Sequence, residues 1–186
     1  MKHPWGWLTF LLILGLWLLS RSEARADSSL AGKLINLQGS VAVALAGSQV
    51  WQPGKLNQDL FVGDAVQTGP DSKAAILCVD ESQLKLNENT LLVLNNVAPS
   101  ARLGYAEVTP AKAGETPSSL YKVLHGELWL RNNKEKFPFA VETPAVTAAI
   151  RGTEFNLRVG RDGASYLTLL NGSLQLVNDY GQLLLQ

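Results

Sequence analysis

The chain has 186 residues, with 16 basic and 16 acidic side chains, 46% hydrophobic residues and a single cysteine. This length is enough for one domain with a buried core, and the hydrophobic content is too high for an intrinsically disordered protein. The balanced charge, without a cluster of Lys and Arg, disfavours nucleic-acid binding. One cysteine can supply neither a disulfide within the chain nor a cysteine-ligated zinc site.

Residues 1–26 have the pattern of a secretory signal peptide. Lys2 precedes an apolar run between Trp5 and Leu19, and Ala24-Arg25-Ala26 offers the small residues that a signal peptidase requires. We expect a helix that is cleaved after this tripeptide, so that the remaining chain is periplasmic or secreted. The alternative is an inner-membrane anchor, although 15 helical residues extend only about 22 Å across a hydrocarbon core of about 30 Å.

The remaining chain, residues 27–186, alternates apolar and polar residues with a period of two. This period is typical of strands with one buried face. We therefore predict a single all-β domain of short antiparallel strands in a stacked, solenoid-like or sandwich arrangement. The predicted inward-facing residues are Ile35, Leu37, Val41, Val43, Leu45, Phe137, Phe139, Val141, Phe155, Leu157 and Val159.

A glycine followed by one polar residue and then by apolar residues two apart occurs four times. We predict that each of these glycines opens a strand after a tight turn. The four are Gly39, Gly126, Gly172 and Gly181. In the C-terminal part, glycine-containing turn signals fall nine residues apart, at Asp162-Gly163, at Asn171-Gly172 and at residues 178–181, which predicts successive hairpins.

One segment interrupts the β pattern. Residues 97–119 contain Pro99, Pro110 and Pro117 among small and polar residues, without sustained periodicity. We predict an exposed loop inside the domain.

Cys78 lies in the apolar run of residues 74–79. A buried cysteine behaves as a small hydrophobic side chain, and we expect Cys78 to belong to the core. The alternative is an intermolecular disulfide.

Two clusters of residues together resemble the FecR domain family. The first is Val62-Gly63-Asp64-Ala65-Val66-Gln67-Thr68-Gly69, followed by Asp71-Ser72-Lys73-Ala74. The second is Thr143-Pro144, followed by residues 146–155 and the Gly172 turn. With Gly39 and Trp51, the resemblance extends from Leu34 to Gln186.

The residues that carry the resemblance are predicted to be mainly structural. Asp64 is expected to accept hydrogen bonds from its own turn, Pro144 to lie at a strand edge or corner, and Thr153 to offer its hydroxyl to a neighbouring strand. A recognition patch formed by Arg151, Thr153 and Glu154 is the alternative. The full set is Gly63, Asp64, Thr68, Gly69, Asp71, Pro144, Arg151, Gly152, Thr153 and Phe155.

The resemblance implies a non-enzymatic periplasmic β domain that senses a signal or binds a protein. The best-known members place this domain on an inner-membrane regulator whose cytosolic tail controls a sigma factor. Only four residues precede the apolar run here, so we expect no such tail. The expected partner is an unidentified envelope protein, and the alternative is a cell-envelope glycan.

No catalytic residue, metal site or cofactor site is expected. His125 is the only histidine after residue 26, so a two-histidine metal site is excluded for that part of the chain. The glycines open strands, which does not fit a phosphate-binding loop. Trp129 alternates with Leu128 and Leu130, so it points outwards if those leucines face the core, which makes it the candidate residue for contact with a partner. The alternative is that Trp129 packs on a neighbouring strand, while Trp51 offers another ring for stacking on a sugar.

Overall fold

The structure, a computed structural model, describes residues 29–97, 119–132 and 139–186. The predicted signal peptide and Phe137 lie outside the described residues. Of the Pro-rich segment, only Val97 and Ser119 are described, and both belong to strands rather than to the predicted loop. No described helix is long and apolar enough to cross a membrane.

The described residues form strands and turns without a helix, which confirms the all-β prediction. The thirteen strands are β1 Leu30–Gln38, β2 Val41–Ala44, β3 Trp51–Pro53, β4 Asp59–Phe61, β5 Ala65–Thr68, β6 Lys73–Cys78, β7 Gln83–Leu86, β8 Leu91–Val97, β9 Ser119–Arg131, β10 Phe139–Glu142, β11 Thr147–Val159, β12 Ser165–Asn178 and β13 Gly181–Leu185.

The sheet divides at β9. The first half of this strand pairs with β8, which continues through β5 and β2 to β3. The second half pairs with β7, which continues through β6 and β1 to β4. On its other side, β9 pairs first with β10 and then with β11. The β9–β10 pair is parallel, which corrects the prediction of a purely antiparallel arrangement.

Long, bent strands carry the chain from one branch of the sheet to the other. β9, β11 and β12 have 13, 13 and 14 residues, so the prediction of short strands is wrong for them. Gly126, Gly152 and Gly172 lie inside these strands, each with a positive φ. Asn171-Gly172 is therefore a bend within β12, not the predicted hairpin turn. Gly39, in contrast, lies in the turn before β2, and Gly181 is the first residue of β13, so both open strands as predicted.

One apolar core fills the space between the two branches. Its members come from strands of both, and they include most of the residues predicted to face inwards. Confirmed as buried are Val41, Val43, Phe139, Val141, Phe155, Leu157 and Val159, while Leu37 is partly buried.

Two inward predictions are wrong. Ile35 is 44% exposed because the register of β1 shifts between Leu34 and Asn36, so this residue bulges out of the ladder. Leu45 is also exposed, since it follows the last residue of β2.

β6 carries Cys78 and lies between β1 and β7. Cys78 is 4% exposed, which confirms its prediction as a core residue. The continuous apolar run of residues 74–79 predicts burial on both faces of this strand, and that prediction is wrong. Leu77 is 42% exposed on the opposite face of the sheet.

Candidate functional site

The first family cluster builds a turn between β4 and β5. Asp64 is fully buried, and its carboxylate accepts hydrogen bonds from the backbone N–H of Phe61 at 2.9 Å and of Ala46 at 3.0 Å. The bond to Phe61 lies within the same turn, as predicted from the sequence. The bond to Ala46 connects this turn to the turn that follows β2. A Cβ on Gly63 would lie 2.7 Å from the Ala46 methyl carbon, so the two turns meet without room for a side chain.

The next residues of this cluster hold the opposite end of β5. Thr68 is buried, and its hydroxyl donates to the Asn87 carbonyl at 2.6 Å and accepts from the Thr90 N–H at 3.0 Å. Gly69 donates its N–H to the Ser40 carbonyl at 2.9 Å.

Asp71 belongs to the same turn but is exposed. Its N–H donates to the Glu88 carboxylate at 2.9 Å, and its φ is +50°. All of these contacts connect turns to one another, which is a structural role.

The second cluster builds the corner between β10 and β11. Pro144 is exposed at this corner, as predicted. The hydroxyl of Thr143 accepts from the N–H groups of Ala145 and Val146 at 3.3 and 3.1 Å, which fixes the corner.

Further along β11 lie the residues of the alternative recognition patch, of which the structure describes the side chains of Thr153 and Glu154. Thr153 is buried, and its hydroxyl donates to the Ser173 carbonyl of β12 at 2.8 Å, as the structural interpretation predicted. Gly152, the residue before Thr153, has φ +57° and bends β11. Phe155 lies in the core. The backbone of Arg151 pairs with β12, while its side chain lies outside the described residues.

Thr90 joins the bend of β9 to the turn before β8, a contact that the sequence did not reveal. Its hydroxyl accepts from the Glu127 N–H at 2.9 Å. A Cβ on Gly126 would overlap the Thr90 Cα. The repeated pattern of a glycine and a polar residue, here Gly126-Glu127, was the available signal in the sequence. It identified the glycine but not Thr90 as its contact.

A buried polar network lies beside Cys78. The Tyr121 hydroxyl donates to Asp80 at 2.7 Å, and the other carboxylate oxygen of Asp80 accepts from the Ser82 N–H at 2.9 Å. Asn132 donates to the Ser82 hydroxyl at 2.8 Å. Burial raises the pKa of the Cys78 thiol and that of the Tyr121 hydroxyl. The two groups are therefore protonated at neutral pH, and neither is a free nucleophile.

Trp129 is the one predicted contact residue, and it points away from the core as expected. Leu128 and Leu130 are fully buried on the inner face. On the outer face, the indole N–H donates to Glu154 at 3.1 Å, and the Lys85 ammonium lies 4.2 Å from the ring centroid. Trp129 is thus half-buried among side chains of β7 and β11. It points outwards, as expected, and it also packs on neighbouring strands, as the alternative stated.

We define the Trp129 face as the outward side chains of β7, β9 and the second half of β11. Polar contacts organise it: Asn156 donates to Glu127 at 2.7 Å, and Arg131 donates to Gln83 at 3.2 Å. Both signs of charge therefore surround one large aromatic ring. The members are Gln83, Lys85, Glu127, Trp129, Arg131, Glu154, Asn156 and Arg158.

The Trp129 face combines an aromatic ring with charged and polar groups. An indole held by a cation and a carboxylate presents a rigid amphipathic surface. Within the described ranges, no group of three His, Cys, Asp or Glu side chains is placed to hold a metal ion. His125 lies half-buried beside the bend of β9, opposite Leu91.

The fold is all-β, and the Trp129 face is an outward surface of mixed polarity. A model of the FecR protein family matches residues 64–175, which is more than half of the chain. The chain therefore belongs to the FecR family, and the resemblance inferred from its sequence is confirmed. The matched region includes Trp129 and the second family cluster, whereas Trp51 precedes it.

Among solved structures, the chain is similar to two crystal structures of a candidate anti-sigma factor from Parabacteroides distasonis ATCC 8503, at 1.65 and 2.50 Å resolution. Each has 15% sequence identity and a TM-score of 0.49, over 65% of this chain and 50% of the other. The chain thus matches half the length of those proteins. A search of curated proteins returns no match.

Proposed function

We propose that this chain is a non-enzymatic sensing or protein-interaction module of the cell envelope. Membership of the FecR family carries the proposal, because the best-known members of the family use this domain to receive a signal outside the cytoplasm. The dense hydrogen bonding of both family clusters supports a rigid scaffold, and the Trp129 face offers a surface for a partner.

The proposed location is the periplasm or the exterior. The apolar run and the Ala24-Arg25-Ala26 site support export and cleavage before Asp27. Mass spectrometry of the protein from fractionated cells tests this, and the expected chain begins at Asp27. A full-length chain in the cytosolic fraction would contradict export, and a full-length chain in the inner membrane would favour the anchored alternative.

The proposed contact for an envelope protein is the Trp129 face. Tryptophan and arginine are enriched at the energetic centres of protein interfaces, where a large ring is surrounded by polar groups. Trp129 has this setting, with Lys85 over its ring and Glu154 at its N–H. The Arg131 guanidinium lies 5.7 Å from the ring centroid.

Photo-crosslinking in living cells tests this assignment. A photoreactive residue in place of Arg158, an exposed member of the Trp129 face, is expected to capture one discrete protein. The matched control replaces Arg161, another exposed arginine, in the turn after β11. Adducts from both positions, or from neither, would argue against a partner on this face.

A further inference from the structure

The structure has a second candidate site, at the edge strand β3. The turn between β1 and β2 and the strand β3 enclose an open cleft of ≈ 380 Å³. Small-molecule sites in proteins have volumes of about 300–1,000 Å³, so the cleft can hold a compact ligand. We call it the Trp51 cleft, and its lining includes Gly39, Ser40, Ala42, Trp51, Gln52 and Pro53.

The chemistry of the Trp51 cleft is neutral and amphipathic. Trp51 is 40% exposed, and none of the described residues that line the cleft carries a charge. The indole N–H of Trp51, the amide of Gln52 and the hydroxyl of Ser40 make no hydrogen bond to another residue of the described ranges. An aromatic residue and two neutral polar residues therefore contribute to the lining of the same cleft.

The walls of the cleft are fixed by backbone contacts. The Ser40 N–H donates to the Ser72 hydroxyl at 2.9 Å, and the Gly54 N–H donates to the Val41 carbonyl at 2.8 Å. Gly39 has φ +73°, and a Cβ there would overlap the Ser72 hydroxyl oxygen. This rim is therefore held in place before a ligand arrives, which lowers the ordering cost of binding.

We propose that the Trp51 cleft binds a neutral saccharide. The C–H face of a pyranose ring packs on an indole, while amide and hydroxyl groups bond to sugar hydroxyls. An anionic ligand would find no cationic side chain among the described residues of the lining. An extended peptide would have to add to the edge of β3, where Pro53 has no N–H to donate. This site is separate from the Trp129 face and does not depend on a protein partner.

Isothermal titration of the full chain with the N-acetylglucosamine trimer, cellotriose and maltotriose tests the proposal. At least one is expected to bind with a dissociation constant of about 1 mM or tighter. Trp51→Ala is expected to weaken binding at least tenfold, and Trp51→Phe less, since a ring remains. Gln52→Ala should cause a loss of about threefold. Tyr180→Ala, which removes a ring that is 97% exposed elsewhere, should bind like the wild type.

Unchanged circular dichroism and melting temperature will show that the variants fold. Equal saccharide affinity of the wild type and Trp51→Ala would overturn the proposal, as would the absence of binding to all three trisaccharides. Binding of an oligoproline peptide in place of the saccharides would also overturn it. None of these results changes the expectation for crosslinking from Arg158, so the two proposals fail separately.

Discussion

Single buried polar side chains hold the turns of this molecule together. Asp64, Thr68, Thr90 and Thr153 each bond to backbone groups of a different turn or strand, and each is almost fully buried. A buried backbone N–H that loses its acceptor costs about 1–3 kcal/mol. These residues therefore contribute more to stability than exposed polar residues of the same type.

Replacement of Asp64 tests this role. Asp64→Ala leaves the N–H groups of Phe61 and Ala46 without this acceptor, and we expect the free energy of unfolding to fall by about 2–4 kcal/mol in urea titrations. Asp59→Ala is the matched control, because Asp59 forms an exposed ion pair with Lys33 at 3.0 Å. Its loss should be below about 1 kcal/mol. Equal losses from the two variants would contradict the role given to Asp64.

The thiol of Cys78 and the hydroxyl of Tyr121 predict a loss of stability at high pH. Burial raises the pKa of Cys78 above its ordinary 9.0 and that of Tyr121 above its ordinary 10.0. The folded chain therefore keeps protons that the unfolded chain releases. The free energy of unfolding is therefore unaffected by these two groups below pH 9.0. It decreases as the pH rises through and above the pKa values that the two groups have in the unfolded chain.

Urea titrations between about pH 8 and about pH 10.5 measure this decrease. Cys78→Ala should have a shallower slope than the wild type in the range where the unfolded thiol ionises, because one of the two groups is gone. In the native protein, we also expect Ellman's reagent to leave Cys78 unmodified until urea unfolds the chain. Rapid labelling of the native thiol, or identical pH slopes, would contradict the assigned burial.

At the scale of the elements, glycines allow long strands to contribute to both branches of the sheet. β9 changes its pairing from β8 to β7 near Gly126, where φ is +102°. β11 and β12 bend together, and a Cβ on Gly172 would overlap the carbonyl oxygen of Gly152. These bends therefore require glycine for two reasons, the positive φ and the close approach of another backbone segment.

Gly126→Ala tests the bend of β9. A left-handed conformation costs an alanine about 1–2 kcal/mol, and the contact with the Thr90 backbone adds to this. We expect a total loss of at least about 3 kcal/mol in thermal or urea unfolding. Gly47→Ala is the control, since Gly47 has φ +72° but no described residue beyond its two chain neighbours lies within 4 Å of the place that a Cβ would take. Losses of similar size would show that the Thr90 contact is unimportant.

The elements also show what the sequence could predict. Alternation placed Phe155, Leu157 and Val159 correctly because the side-chain period of a strand is a local property. The Asn171-Gly172 signal was misassigned because the same dipeptide allows either a hairpin turn or a bend. Pairing of β12 with β11 on both sides of the bend decides between them, and that pairing is not local.

At the scale of the whole molecule, two outward surfaces lie on different strands. The Trp129 face belongs to β7, β9 and β11, whereas the Trp51 cleft belongs to β3 and the β1–β2 turn. The outward direction of Trp129 was predictable from its leucine neighbours. Its contacts with Lys85 and Glu154 were not, because sequence alone does not give the order of strands. The bond between Tyr121 and Asp80, 41 residues apart, was hidden for the same reason.

The most direct test of the proposed function is the affinity of the chain for the protein captured from Arg158. We expect Trp129→Ala to weaken this affinity at least tenfold, equivalent to about 1.4 kcal/mol, while Tyr180→Ala binds like the wild type. Both variants should keep the wild-type melting temperature to within a few degrees, because each replaced ring lies outside the core. Unchanged affinity in Trp129→Ala would contradict the assignment of the Trp129 face as the partner-binding surface.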